Sequence, residues 1–384
     1  MGAGSVHQES AVAHPAAKAF ARATGHGLKG GHDTVGAVVP SFLRLLSDPA
    51  IKTVLLCGCG GGFDFLHGLT LLPELARLGK RVIIGSYSFG EPHRITTAPT
   101  VFDLGEGAIV KLVTARSVPD PHYGPEVHLC AFLDAEQPEH APHSIYAYYA
   151  RAFTVPKLRT LYRELVARHS VDAVILFDGG SDSLMVGDEE GLGDPIEDAV
   201  SIAAVAELER PSLKILVSIG LGADRFNQVS DAASLRAIAE LTAAGGFLGA
   251  VSLEQASPGF AFYKRGIEQI YSRQTFRSAL TGFIISAAEG HYGSQVVPPI
   301  LQSRVRPGGF FIWPLMAMLF SFDVQAVAKR SRIVAWIRSC STVDDCHIAI
   351  LKGRAELGTA LRPVENLPRH EQLRGPSMNH FESR

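Results

Sequence analysis

Short apolar runs that stop at glycine recur along this chain, and amphipathic stretches separate them. The first run, Thr53 to Leu56, breaks into a glycine cluster within VLLCGCGGGFDFLHG, Val54 to Gly68. Phe65, Leu66, Leu69, Leu72, Leu75 and Leu78 then recur at helical spacing, Gly79 stands where a helix stop is expected, and RVIIGSYSF follows as a second strand. Together they predict a β-α-β unit, the smallest piece of a parallel sheet. Two later runs end in the same way, VILFDGGSDS at Val174 to Ser183 and ILVSIGLGADR at Ile215 to Arg225, each with an aspartate beside its glycines. Three such strand ends point to one shared site.

Upstream, Ala11 to Ala23 and Pro40 to Leu46 read as short helices. Gly105 to Ala115 and Glu126 to Leu133 read as β-rich runs on either side of the turn-forming PDPHYG, and Tyr146 to His169 reads as one long amphipathic helix. From Ala173 the order is strand, helix (Ile196 to Leu208), strand (Leu213 to Ile219), helix (Ala232 to Ala243), strand (Phe247 to Leu253) and helix from Ser257. Such alternation predicts an α/β, Rossmann-like three-layer fold with a mostly parallel sheet and helices on both faces. Beyond Thr275 a helix to Glu289, a strand at Gly309 to Trp313 and an edge strand at Cys346 to Leu351 are expected. The organisation this implies is an N-terminal extension over 1–33, one α/β domain over 34–362 and a polar tail over 363–384.

Composition narrows the partners. With 36 basic and 38 acidic residues and a net charge of -2, the chain has no concentrated basic character, and nucleic acid is not an expected partner. No apolar run reaches the roughly 18 to 20 residues that cross a bilayer. The start lacks the basic opening and apolar centre of a secretory signal, and five cysteines fit a reducing compartment, so a cytoplasmic protein is expected. The apolar stretch GGFFIWPLMAMLF reads as core, with a subunit interface in a homo-oligomer as the alternative.

Ligands of open parallel sheets lie beyond the carboxyl ends of the strands, and each glycine-and-acid cluster here lies at such an end. Gly58, Cys59, Gly60, Gly61 and Gly62, with Gly179, Gly180, Gly220 and Gly222, are candidates to let backbone approach a ligand. The spacing is G-x-G-x-x-F, and the second strand ends in Ser86, Tyr87 and Ser88 where a nicotinamide cofactor wants an acid for its ribose. Asp178, Asp182 and Asp224 are candidate ligands for Mg²⁺ or Ca²⁺, or acceptors for sugar hydroxyls. Asp64, Asp178, His67, Glu91 and His291 are candidates for proton transfer. Asp194, Pro195 and Glu197 read as a capping box, and Asp188 and Glu189 as solvated loop charges. Cys57 and Cys59 lack the paired spacing of a zinc site; they read as buried, with Cys59 a nucleophile if a helix end lowers its pKa.

The pairing of CGCGGGFD with FDGGSDSLMVGDEEGLGDPIEDAVSIAA and then SIGLGAD resembles the DUF1152 family of archaeal and bacterial proteins, over roughly Val54 to Gly293. The resemblance implies the α/β fold and a role for the glycine and aspartate loops, and it brings no activity with it. Where that family's second strand resembles a run ending in Trp-Glu, this chain has Phe89, Gly90 and Glu91. The residues themselves point to an enzyme acting on a nucleotide or another phosphorylated, sugar-bearing small metabolite. An NAD(P)- or flavin-dependent oxidoreductase and a non-catalytic ligand-binding or assembly protein are the alternatives.

Overall fold

A computed structural model describes residues 41–364 and Leu367. The expected helix at Ala11 to Ala23, the extension over 1–33 and most of the tail over 363–384 lie outside these residues.

Nine strands form one sheet: Thr53–Gly58 (β1), Arg81–Ser88 (β2), Thr100–Asp103 (β3), Ile109–Thr114 (β4), Ser144–Tyr149 (β5), Ala173–Asp178 (β6), Leu213–Ile219 (β7), Phe247–Ser252 (β8) and Met318–Asp323 (β9). Their order across the sheet is β3-β4-β5-β2-β1-β6-β7-β9-β8. The five central strands, β5-β2-β1-β6-β7, are parallel, and β3, β4 and β9 join through antiparallel pairs. Twelve α-helices are present among the described residues: Phe42–Leu46 (α1), Asp64–His67 (α2), Leu72–Arg77 (α3), Pro125–Glu136 (α4), Val155–His169 (α5), Pro195–Ala206 (α6), Asp231–Ala243 (α7), Pro258–Tyr271 (α8), Ala279–Ala288 (α9), Val324–Arg330 (α10), Arg332–Ile337 (α11) and Val343–Leu357 (α12).

Every residue of β1 and of β6 is buried, as a central strand covered on both faces requires. The alternation of side chains divides them between two cores. Leu55, Val174 and Leu216 pack with α5, α6, α7 and the C-terminal helices on one side. Val54, Leu56, Ile175 and Val217 pack with Phe65, Phe132, Tyr263 and Ile284 on the other. This is the three-layer α/β arrangement expected from the alternation. A smaller core of Phe283, Leu301, Ile312, Met316 and Ala317 takes in part of GGFFIWPLMAMLF.

The structure corrects several elements. Tyr146 to His169 is not one helix: β5 ends at Tyr149, and α5 begins at Val155 with Pro156 in its first turn, where proline favours a helix start. Glu126 to Leu133 lies in helix α4, which is buried nearly all round and therefore shows no polar face to reveal its period. Cys346 to Leu351 lies in α12, which starts from a Thr342–Asp345 capping box. Gly309 to Trp313 forms no strand and contributes a single bridge, Gly293 to Ile312; the strand there is β9, a few residues later. The helix expected from Thr275 starts at Ala279, where Ser278 accepts from the Thr281 amide.

Chain direction away from the sheet centre differs on the two sides of β1. From β1 the chain crosses to β2, whereas β6 lies on the opposite flank of β1. Loops leaving β1 and β6 therefore diverge, and a crevice opens between their carboxyl ends, the usual ligand position in open α/β sheets.

Candidate functional site

That crevice is a cleft of about 230 Å³. Gly60, Gly61, Phe63 and Asp64 line it from the end of β1, Phe89 from β2, Asp178, Gly179 and Asp182 from β6, and Asp224, Phe226 and Asn227 from β7. Asp194, Glu197 and Asp198 enter from α6, and Phe276, Ser278 and Arg304 close the far side. The three strand ends singled out in the sequence thus meet, because β1, β6 and β7 are neighbours. Two larger clefts, about 660 and 810 Å³, open at the amino ends of strands, one beside Arg159, Asp172 and Arg210 and the other beside Arg81, Ser144 and His169. Chemistry rather than size separates the 230 Å³ cleft from both, since seven carboxylates line it and one arginine.

Asp64, Asp178 and Asp198 each offer a carboxylate oxygen, and these atoms lie within 4.8 Å of one another. Asp178, the last residue of β6, is 2 % exposed and accepts from the Ser183 hydroxyl. Asp64 receives the Gly60 amide at 2.9 Å, and Asp224 receives the Ser181 amide at 2.7 Å. Asp198 is 4 % exposed, and its Oδ1 has no hydrogen-bond partner. That oxygen faces the glycine turn: a Cβ on Gly60 would lie 3.0 Å from it and 2.7 Å from Asp64 Oδ2. A Cβ on Gly180 would lie 2.2 Å from Asp224 Oδ2. The glycines are thus needed so that carboxylates can pack against backbone.

Burial raises all these acids above the ordinary carboxylate range, and their mutual repulsion adds to it. Asp64 is pushed up to about 8, first by burial and then by Asp182. Asp182 rises to about 6 and Glu197 to about 7, each mainly through burial. Asp178, Asp198 and Asp224 rise as well, from burial and then from the charge of Asp182. A buried, unpartnered carboxylate oxygen costs free energy unless a proton or cation meets it. An all-oxygen set of this kind suits a hard divalent cation such as Mg²⁺ or Ca²⁺.

Three amides of the glycine loop are spent within the fold. Cys59 N–H donates to Phe177 O, Gly60 N–H to Asp64 and Gly62 N–H to Tyr87 O, and the Phe89 ring rests on Gly61 and Gly62. The helix that follows, α2, has four residues. Gly60, Gly61 and Gly179 line the cleft, while Gly58, Cys59, Gly62, Gly180, Gly220 and Gly222 stand outside its lining.

Among the proton-transfer candidates, Asp64 and Asp178 sit in the cleft and the others do not. His67 lies behind Gly179, with Nδ1 2.8 Å from the Tyr263 hydroxyl; burial lowers its pKa to about 3 and keeps it neutral. Glu91 is exposed beside His93 and Arg94. His291 is in the turn after α9, near Glu289. Cys59 is fully buried, and its thiol is raised by burial and then by Asp198 and Asp178, the reverse of an activated nucleophile.

Two further readings are corrected. Asp194 caps nothing with its side chain; its amide donates to Asp182 at 3.1 Å, and no capping box forms with Glu197. Glu189 is not solvated: it is 5 % exposed and accepts from Val186 N, Gly187 N and Arg362. Asp198, Glu197 and Arg304 are absent from the sequence-derived site. An acid followed by the mostly apolar run Ala199 to Ala206, one turn beyond Asp194, was the available signal for Asp198.

The family model described as "Protein of unknown function (DUF1152)" matches residues 145–355. Asp178, Asp182, Asp198 and Asp224 fall inside this match, whereas the CGCGGGFD turn and Asp64 precede it. No curated protein and no solved structure matches the chain significantly. No helix among the described residues is long and apolar enough to cross a membrane. With more than half its length in the matched region, the chain belongs to the DUF1152 family.

Proposed function

We propose that the protein is an enzyme acting on a nucleotide or another phosphorylated, sugar-bearing small metabolite, bound at the β1/β6 crevice with a divalent cation. The observation that carries this reading is Asp198 Oδ1, a buried carboxylate oxygen without a partner, beside the ligand atoms of Asp64 and Asp178. These three aspartates hold the cation, and Asp182 and Asp224 stand at the edge of the same cluster. When bound, the cation supplies charge stabilisation for a phosphoryl or carbonyl oxygen. Asp182 near 6 and Glu197 near 7 exchange protons close to neutrality, which suits them to general acid and base roles in the same cleft.

The cleft, at about 230 Å³, is below the roughly 300 to 1,000 Å³ of pockets for drug-sized ligands, which favours a compact ligand over a dinucleotide. Ser86 at the end of β2 donates to the buried Glu126 at 2.8 Å, and no cleft-lining acid comes from that strand. Both points weigh against the NAD(P) alternative.

Replacing Asp178 by Asn tests the reading. Mn²⁺ titration followed by the electron paramagnetic resonance of the free ion is expected to show affinity lowered roughly 100-fold. Circular dichroism of the variant should match the parent. Unaltered Mn²⁺ affinity in a folded variant would overturn the assignment.

A further inference from the structure

Arg304 is the single basic residue lining the acidic cleft, and it makes no ion pair with any of the seven acids there among the described residues. Its guanidinium lies over the Phe276 ring, 5.5 Å from the centroid. That ring is itself held in place. It packs against Phe63 at 5.7 Å and Tyr123 at 5.9 Å, and the Phe276 amide donates to His122 O at 3.0 Å. Arg304 is anchored through its own amide, which donates to Leu301 O at 2.8 Å at the end of a short turn.

An arginine free to move beside so many carboxylates would be expected to pair with one of them. This one is exposed and stacked instead, and it shares the lining of the cleft with the acids. A cation at Asp64, Asp178 and Asp198 would give that lining a second positive charge. The complementary occupant is an anion that can face both at once. A phosphate group has enough non-bridging oxygens to meet a metal with one edge and a planar guanidinium with another, whereas a carboxylate has two oxygens and one edge.

We infer that Arg304, stacked on Phe276, is the ligand-positioning residue that holds the phosphate group of the substrate against the metal cluster. The inference rests on the proposed metal-dependent reading, and it assigns the phosphate to the arginine and the cation rather than to the amides of the glycine loop. The apolar rims at Phe89 and Phe226, more than half exposed at 54 % and 59 %, then lie beside the organic part of the ligand.

The test uses Mn²⁺ and methyl phosphate as probes on the full chain and on Arg304→Met and Arg304→Lys. Mn²⁺ binding is followed by the resonance of the free ion, and methyl phosphate binding by titration calorimetry, with and without Mn²⁺. The expected result is that all three proteins bind Mn²⁺, the Met variant at least as tightly as the parent. Methyl phosphate should bind about 10- to 100-fold more weakly to the Met variant, as for loss of a charge-assisted hydrogen-bond pair, with the Lys variant between. Equal methyl phosphate binding by parent and Met variant overturns the role of Arg304, as does a parent that binds Mn²⁺ but not methyl phosphate. A parent that fails to bind Mn²⁺ overturns the metal reading instead; methyl phosphate binding that still depends on Arg304 would then uphold the arginine's role alone.

Discussion

Within the loop from 179 to 194, Asp188 and Glu189 are met by arginine, while Asp182, with Asp178 and Asp198 next to it, is met by other carboxylates. Arg362 reaches both Asp188 and Glu189, Arg332 stands 3.9 Å from Asp188, and Arg354 binds the backbone oxygens of Gly187 and Glu189. Glu189 therefore stays buried with its charge answered from within the chain. Asp198 is buried just as deeply, and the groups around it add negative charge. Two buried carboxylates nine residues apart thus have two fates. Where the fold brings its own cation, an acid is a strut; where it brings none, the acid keeps a buried charge or proton unanswered by the chain.

The largest effect that should separate the two regions comes from Asp198→Asn. Mn²⁺ affinity is expected to fall roughly 100-fold, while metal-free stability rises, because a buried acid repelled by its neighbours is gone. A loss of stability, or unchanged Mn²⁺ affinity, would make Asp198 another strut and erase the contrast.

Arg362→Ala should do the reverse. Removing one partner from a mostly buried pair is expected to lower unfolding stability by about 2 kcal/mol, read by denaturant titration, and to leave Mn²⁺ affinity where it was. Weakened metal binding would show that the two regions act as one.

The smallest effect is a pH dependence. The cleft acids titrate higher in the folded chain than in the unfolded one, with Asp182 near 6, Glu197 near 7 and Asp64 near 8. Folding therefore takes up protons, and their stabilisation is complete below the ordinary carboxylate range and lost as pH rises through 6 to 8. The metal-free melting temperature should drop by a few degrees between pH 5 and pH 8. Saturating Mg²⁺ should recover it at pH 8 and have little effect at pH 5, where protons hold the sites. A flat profile without metal would mean that the cleft acids are already compensated.

Much of the cleft was legible in sequence. Asp64, Asp178, Asp182 and Asp224 announce themselves because each stands beside glycines at the end of an apolar run, and a parallel sheet places such ends on one rim. Asp198 was hidden because a helix start with Asp, Pro and Glu reads as local capping, and only packing against the glycine turn shows that Asp194 spends its amide on Asp182 instead. Arg304 was hidden by distance: about 80 residues separate it from Asp224, with no periodic pattern linking them. Helix α4 was misread because burial on all sides removes the period by which helices are recognised.

By itself the sequence determined the alternation of strand and helix, the parallel core, and the three glycine-and-acid turns at the ends of its strands, the first of them within Val54 to Gly68. Those features rest on side-chain period and backbone permissiveness, which are local properties. Tertiary structure alone decided which acids keep a counter-charge. It put Arg362 on Glu189, left Asp198 Oδ1 bare and turned the Cys59, Gly60 and Gly62 amides inward, so that Gly60 to Gly62 seat Asp64, Asp198 and Phe89. Charge compensation depends on distances between residues far apart in sequence, and only the packed chain sets those.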